Sequence, residues 1–121
     1  MEEELTIEEI IMNYLIERDI EWIRNNVFME KPEKKVEEYI LIEKTGSKWT
    51  DRINQAMIAI KSISTRRMVT AARINNFVKR EMLEMADRID DIYSCDLVSD
   101  YNFTNTEAKE YRYQAVFILH Y

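Results

Sequence analysis

The chain has few residues whose types and spacing could do chemistry. Its one histidine, His120, has no second histidine or cysteine near it in sequence. A zinc site draws on three or four such ligands, so His120 reads as a surface or interface residue. The one cysteine, Cys95, sits in a strand-like stretch and reads as a small apolar side chain rather than a nucleophile. With no second cysteine no intramolecular disulfide forms, which fits a reducing compartment. Asp87 and Asp91, with Asp90 beside them, would share a helix face, and paired carboxylates can hold a hard cation. Arg88 lies among them and the Asp-Gly spacing of a calcium loop is missing, so the group reads as a solvated helix end. Arg66, Arg67, Arg73, Lys79 and Arg80 could meet phosphate, but they fit the solvated face of an amphipathic helix better. The single glycine leaves no Gly-rich phosphate loop, and no nucleophile elbow, dinucleotide fingerprint or metalloprotease motif occurs. These residues predict no catalytic, metal or cofactor site, and therefore a binding or structural protein.

The elements that position those residues have clearer signals. Thr6 followed by Glu9 is a capping box, with Leu5 and Ile10 spaced as a hydrophobic staple. Ile7, Ile10, Ile11, Tyr14 and Leu15 continue it as one apolar stripe, predicting a helix from Leu5 to about Asp19. Ile20 to Asn26 reads as a connector and Val27 to Met29 as a short first strand. After the polar turn around Pro32, Glu37 to Lys44 reads as a strand closed by Thr45-Gly46-Ser47. Asp51 to Ser62 alternates as its hairpin partner; Ala and Met there keep a helix as the alternative. Ser64 or Thr65 can cap a second helix running to about Ile89, with Ala71, Ile74, Val78, Met82 and Met85 on its stripe. Ile92 to Ser99 reads as a strand, Asp100 to Thr106 as a turn, and Glu110 to Tyr121 as a long final strand. On that strand Tyr111, Tyr113, Ala115, Phe117 and Leu119 alternate with Arg112, Gln114, Val116, Ile118 and His120. The first row is expected beneath the helices, and the second as a subunit or lumen surface. The fold class predicted is α+β: a mainly antiparallel four- to five-stranded sheet with two helices packed on one face, a single domain over residues 1–121.

Composition sets further bounds. At 121 residues the chain suffices for one core. The net charge of −6 disfavours broad binding to nucleic-acid phosphates. No apolar run approaches a membrane span and the start, MEEEL, is acidic, so a cytoplasmic chain with no membrane partner is expected.

Three stretches carry a resemblance. They are YILIEKTGSKWTDRINQAMIAIKSIS (residues 39–64), AARINNFVKREML (71–83) and SDYNFTNTEAKEYRYQAVFILHY (99–121). In this order and spacing the chain resembles the small tail terminator, or tail completion, proteins of long non-contractile-tailed bacteriophages and of Gram-positive prophages. Lys61 and Ser64 depart from the Gln and aromatic residue of that pattern. The resemblance implies a virion structural protein rather than an enzyme, assembled in the host cytoplasm. It would form a hexameric ring at the head-proximal end of the tail tube, and a monomer at low concentration would be consistent with the family. Its partners would be the tail tube protein, the head connector or head-completion protein, and phage DNA passing through the lumen without sequence-specific contact. Ring contacts would fall on Lys44, Ser47 and Trp49, on Tyr101, Asn102 and Phe103, and on Arg112 and Gln114. Tyr101 and Phe103 have a second reading, as a turn folded back on its own hairpin. A neighbouring head-completion (stopper) protein and a small phage-encoded nucleic-acid-binding regulator are the alternative functions.

Overall fold

A computed structural model describes residues 4–18, 23, 25–50 and 52–121, and at Thr50 the backbone alone. The predicted helix end at Asp19 and much of the connector after it lie outside the described residues. Helix α1 spans Ile7–Arg18 and opens on the predicted capping box: the Glu9 N–H donates to Thr6 Oγ1 (3.2 Å) and the Thr6 N–H to Glu9 Oε1 (3.3 Å). Asn25, in the left-handed region at φ 68°, turns the chain into β1, Val27–Phe28. Strand β2 is Glu38–Thr50, β3 Ile53–Ser64, helix α2 Met68–Leu83, helix α3 Met85–Arg88, β4 Ser94–Asn102 and β5 Tyr111–His120.

The five strands lie in the order β1-β2-β3-β5-β4. All neighbours are antiparallel except the short β1, which runs parallel to β2, so the sheet is mixed. Both main helices pack on one face, α1 against β1 and β2, α2 against β3, β5 and β4. Ile40 and Ile42, Ala56, Ile58 and Ile60, and Ala115, Phe117 and Leu119 point into that layer and are fully or almost fully buried. They meet Ile11 and Leu15 of α1 and Ile74, Val78 and Met82 of α2. The alternation read from the sequence is therefore the division of the sheet into two faces.

Several boundaries differ from those the sequence suggested, among them β3, which ends at Ser64 rather than Ser62, and β4, which begins at Ser94 rather than Ile92. Strand β2 does not stop at Thr45-Gly46-Ser47 but passes through it, with Thr45 left over as a bulge between Lys44 and Gly46. Gly46 has no positive φ, and a Cβ there would meet nothing within 4 Å, so the glycine serves no turn. The hairpin reverses instead beside Arg52, at φ 67°. The second helix stops at Leu83, and the short α3 follows Glu84, so Asp91 falls outside any helix and shares no helical face with Asp87. Neither Ser64 nor Thr65 caps α2, whose N-cap is Arg67. Ser64 Oγ accepts from the N–H groups of Arg66 and Arg67 (3.2 Å each), and the Thr65 N–H is bound to the Glu37 carbonyl (2.8 Å). Finally, β4 continues through Tyr101 and Asn102, and its hairpin turns later, at 106–109, with Lys109 at φ 52°.

Glu81 ties the helical layer together from a largely buried position. Its carboxylate accepts from Arg18 Nε (3.2 Å) and Arg88 Nη1 (2.8 Å), and its carbonyl accepts from the Tyr14 hydroxyl (2.8 Å). α1, α2 and α3 thus share one buried acid.

Candidate interface on the uncovered sheet face

Residues directly opposite each other in an antiparallel pair share a face. The uncovered face therefore carries Tyr39, Leu41, Glu43 and Lys48 of β2, and Gln55, Met57, Ala59, Lys61 and Ile63 of β3. To these β5 adds Arg112, Gln114, Val116, Ile118 and His120, and β4 adds Ser94, Asp96, Ser99 and Tyr101. None of the described helices packs here, yet Ala59 and Ile63 are buried. Tyr39 is buried as well; Phe28 meets its ring edge-on at a centroid distance of 6.0 Å.

At one end, four of the expected contact residues come together. Phe103 lies under the Arg112 guanidinium (4.5 Å to the ring centroid) and within 5.9 Å of Lys61 Nζ. The Tyr101 ring is 5.9 Å from Phe103, and its hydroxyl accepts from Gln114 Nε2. Arg112 also meets Glu110 (3.5 Å), and Lys61 pairs with Glu43 (3.1 Å). The aromatic pair is thus folded back on its own sheet, the second of the two readings offered for it. Tyr101 nevertheless remains 45% exposed. Asn102 points to the other face, where its Nδ2 approaches Met68 Sδ (3.8 Å) and its Oδ1 accepts from the Thr104 N–H (2.9 Å).

Lys44, Ser47 and Trp49 are not part of this cluster. They sit on β2 with β3 and β5 between them and Phe103, in a continuous strand rather than at and beyond the turn expected after Lys44. All three are exposed, Trp49 most of all at 69%. Ile53 and Met57 are exposed nearby on β3, as are Tyr93, just before β4, and Leu97 and Val98 within it. Lys61 and the β4 apolar residues were missed by sequence reasoning. Lys61 interrupts an apolar run without announcing its cross-strand partner, and Val98 looks like core until its bulge is known.

Most of the other polar groups of this face have partners, while Arg112 Nε and, under the helices, Asn75 Oδ1 and Ser62 Oγ are buried without one among the described residues. His120 Nδ1 lies 2.8 Å from Ser94 Oγ and its Nε2 3.2 Å from Gln55 Oε1. A ring with its proton on Nε2 donates to Gln55 Oε1 and accepts from the Ser94 hydroxyl at Nδ1. Burial pushes the Cys95 thiol up to about 12, helped by the charge of Asp96. Burial alone would raise the Asp100 carboxyl. Hydrogen bonds from Lys79 Nζ and Asn75 Nδ2, with the Lys79 charge, outweigh it and hold the pKa below its ordinary value. The basic helix face is partly neutralised: Arg66 meets Glu37 (3.3 Å), Arg80 meets Glu81 (3.9 Å), and Lys79 meets Asp100. Among the described residues, no group of three or more His, Cys, Asp or Glu side chains is placed to hold a metal ion, and no helix is long and apolar enough to cross a membrane. No protein-family model matches the chain, and no curated protein matches it.

Proposed function

We propose that this chain is a phage tail terminator: a virion protein that closes into a ring on the head-proximal end of the tail tube, ends its polymerisation and joins it to the head connector. The observation that carries the reading is a pair of unlike adhesive edges on one subunit. The β2 edge exposes Trp49 and the β4 edge exposes Tyr93, Leu97 and Val98. A ring closed by rotation needs two different, complementary surfaces on each subunit, and large exposed apolar groups mark surfaces that are covered on assembly. The stretches that resemble the family include the β2 edge and the end of β4 from Ser99, and a net charge of −6 suits a lumen through which DNA slides without sticking. The test is electron microscopy of tail tubes grown with and without the protein. Tubes of fixed length with capped ends are expected; tubes that grow unchecked in its presence overturn the proposal.

One observation favours a second reading. Phe103 between Arg112 and Lys61, on an uncovered antiparallel sheet, offers a stacking platform beside cations, as sheets that bind single-stranded nucleic acid do. A regulator of that kind binds oligonucleotides at low salt and releases them as salt rises. Absence of binding at low salt removes this reading.

A further inference from the structure

We infer that copies of this chain join edge to edge, the β2 edge of one pairing antiparallel with the β4 edge of the next in a defined register. The inference deepens the ring reading and rests on it. β1 covers β2 only at Ile40 and Leu41, so among the described residues Ile42–Thr50 has no neighbour on the side away from β3. At the far side of the sheet β4, Ser94–Asn102, is likewise unpaired on its outer side, and it has the same length as that free part of β2. Strand directions agree too. β2, β3, β5 and β4 alternate in direction, so β4 runs opposite to β2 and a second copy set beside the first continues an antiparallel sheet.

The two faces then fix the register. Each edge carries one extra residue, Thr45 in β2 and Val98 in β4. Ile42, Lys44, Ser47 and Trp49 face the helical layer, as do Asn102, Asp100, Leu97 and Cys95. Only a pairing that sets Ile42 against Asn102 and Thr50 against Ser94 keeps like faces together along the whole length, and in it the two bulges offset each other. Charge follows without further adjustment: Lys44 falls opposite Asp100, and Lys48 opposite Asp96. Trp49 lies across from Cys95 and diagonal to Leu97, which covers the most exposed aromatic side chain. The bulges and lysines that usually protect a free edge here match a second copy instead.

The full chain tests this directly. K44E/K48E sets acid against acid at both pairs, and D96K sets a lysine against Lys48 while Asp100 stays in place. Wild type is expected to associate in sedimentation velocity, each variant alone at least about tenfold more weakly, since like charges meet across the seam. An equimolar mixture of the two is expected to recover in part, because K48E then meets D96K while K44E still faces Asp100. In a Cys95→Ala background, K48C/D96C is expected to give a covalent ladder on oxidation where K48C alone gives none. The trap is read with and without tail tubes, so a chain that associates only on its template is still scored. Association of either charge variant at wild-type strength, or no ladder under both conditions, overturns the register. If the ladder forms and tubes still grow unchecked, the capping reading fails while the contact stands. If K44E/K48E caps tubes as well as wild type does, the contact fails and capping stands.

Discussion

The two faces of the sheet are built from the same strands and solve burial in opposite ways. Under the helices, Ile58, Ile60, Ala115, Phe117 and Leu119 are sealed by the apolar stripes of α1 and α2. On the other side Arg112 covers Phe103, Lys61 meets Glu43, Gln114 holds Tyr101, and His120 bridges Ser94 and Gln55. The first face owes its strength to area removed from water, at about 25 cal/mol per Å². The second is a network of partly solvated pairs, each contributing about 1 kcal/mol or less. Stability therefore resides on one face, while the other can change its contacts at little cost to folding. That division is what an assembling subunit needs.

The largest effect that would break this comparison comes from Phe117 and Trp49. Phe117→Ala opens a cavity in the sealed layer and is expected to cost about 3–5 kcal/mol in urea unfolding. Trp49→Ala is expected to stay within about 0.5 kcal/mol of wild type while abolishing tube capping. A large loss of stability at Trp49 would show that the edge belongs to the core. Arg112→Glu sets a second acid beside Glu110 and removes the cation over Phe103, for an expected cost of about 1 kcal/mol. The folded monomer should survive by circular dichroism while ring assembly fails; unfolding would overturn the face assignment.

A smaller effect sharpens the seam between the faces. The folded pKa of Asp100 lies below its ordinary 3.8, so its stabilisation is present above about pH 4 and is lost as pH falls through the folded value. Asp100→Asn should therefore be less stable than wild type at pH 7, by under about 1 kcal/mol for so exposed a pair. Unfolding midpoints measured down to pH 2 should converge. The smallest change is expected at Lys109. Its left-handed backbone favours glycine, and Lys109→Gly should raise the thermal midpoint slightly, by under about 1 kcal/mol.

What was legible in the sequence follows from the same physics. The capping box of Thr6 and Glu9 is a local signal and formed as read. The stripe of α2 and the alternation of β5 are periodic signals, and both faces they define are present. The turns were misplaced because the strongest turn-like triplet, Thr45-Gly46-Ser47, is a bulge in a continuous strand. The true reversals sit at Arg52 and Lys109, residue types that give no warning. Of the expected contact residues, Tyr101, Phe103, Arg112 and Gln114 do converge, whereas Lys44, Ser47 and Trp49 lie on the opposite edge. Which strands would be the outer ones depends on sheet order, and sheet order is not a local property of any segment.

Cys95 adds a timescale to this architecture. Its thiol is buried, protonated up to about pH 12, and seated in an outermost strand. A thiol reagent reaches it when β4 or the helical layer over it opens, so its labelling rate counts those openings one by one. The sulfur is a clock for the opening of this side of the sheet. In a subunit whose β4 has found a neighbour, that clock should slow.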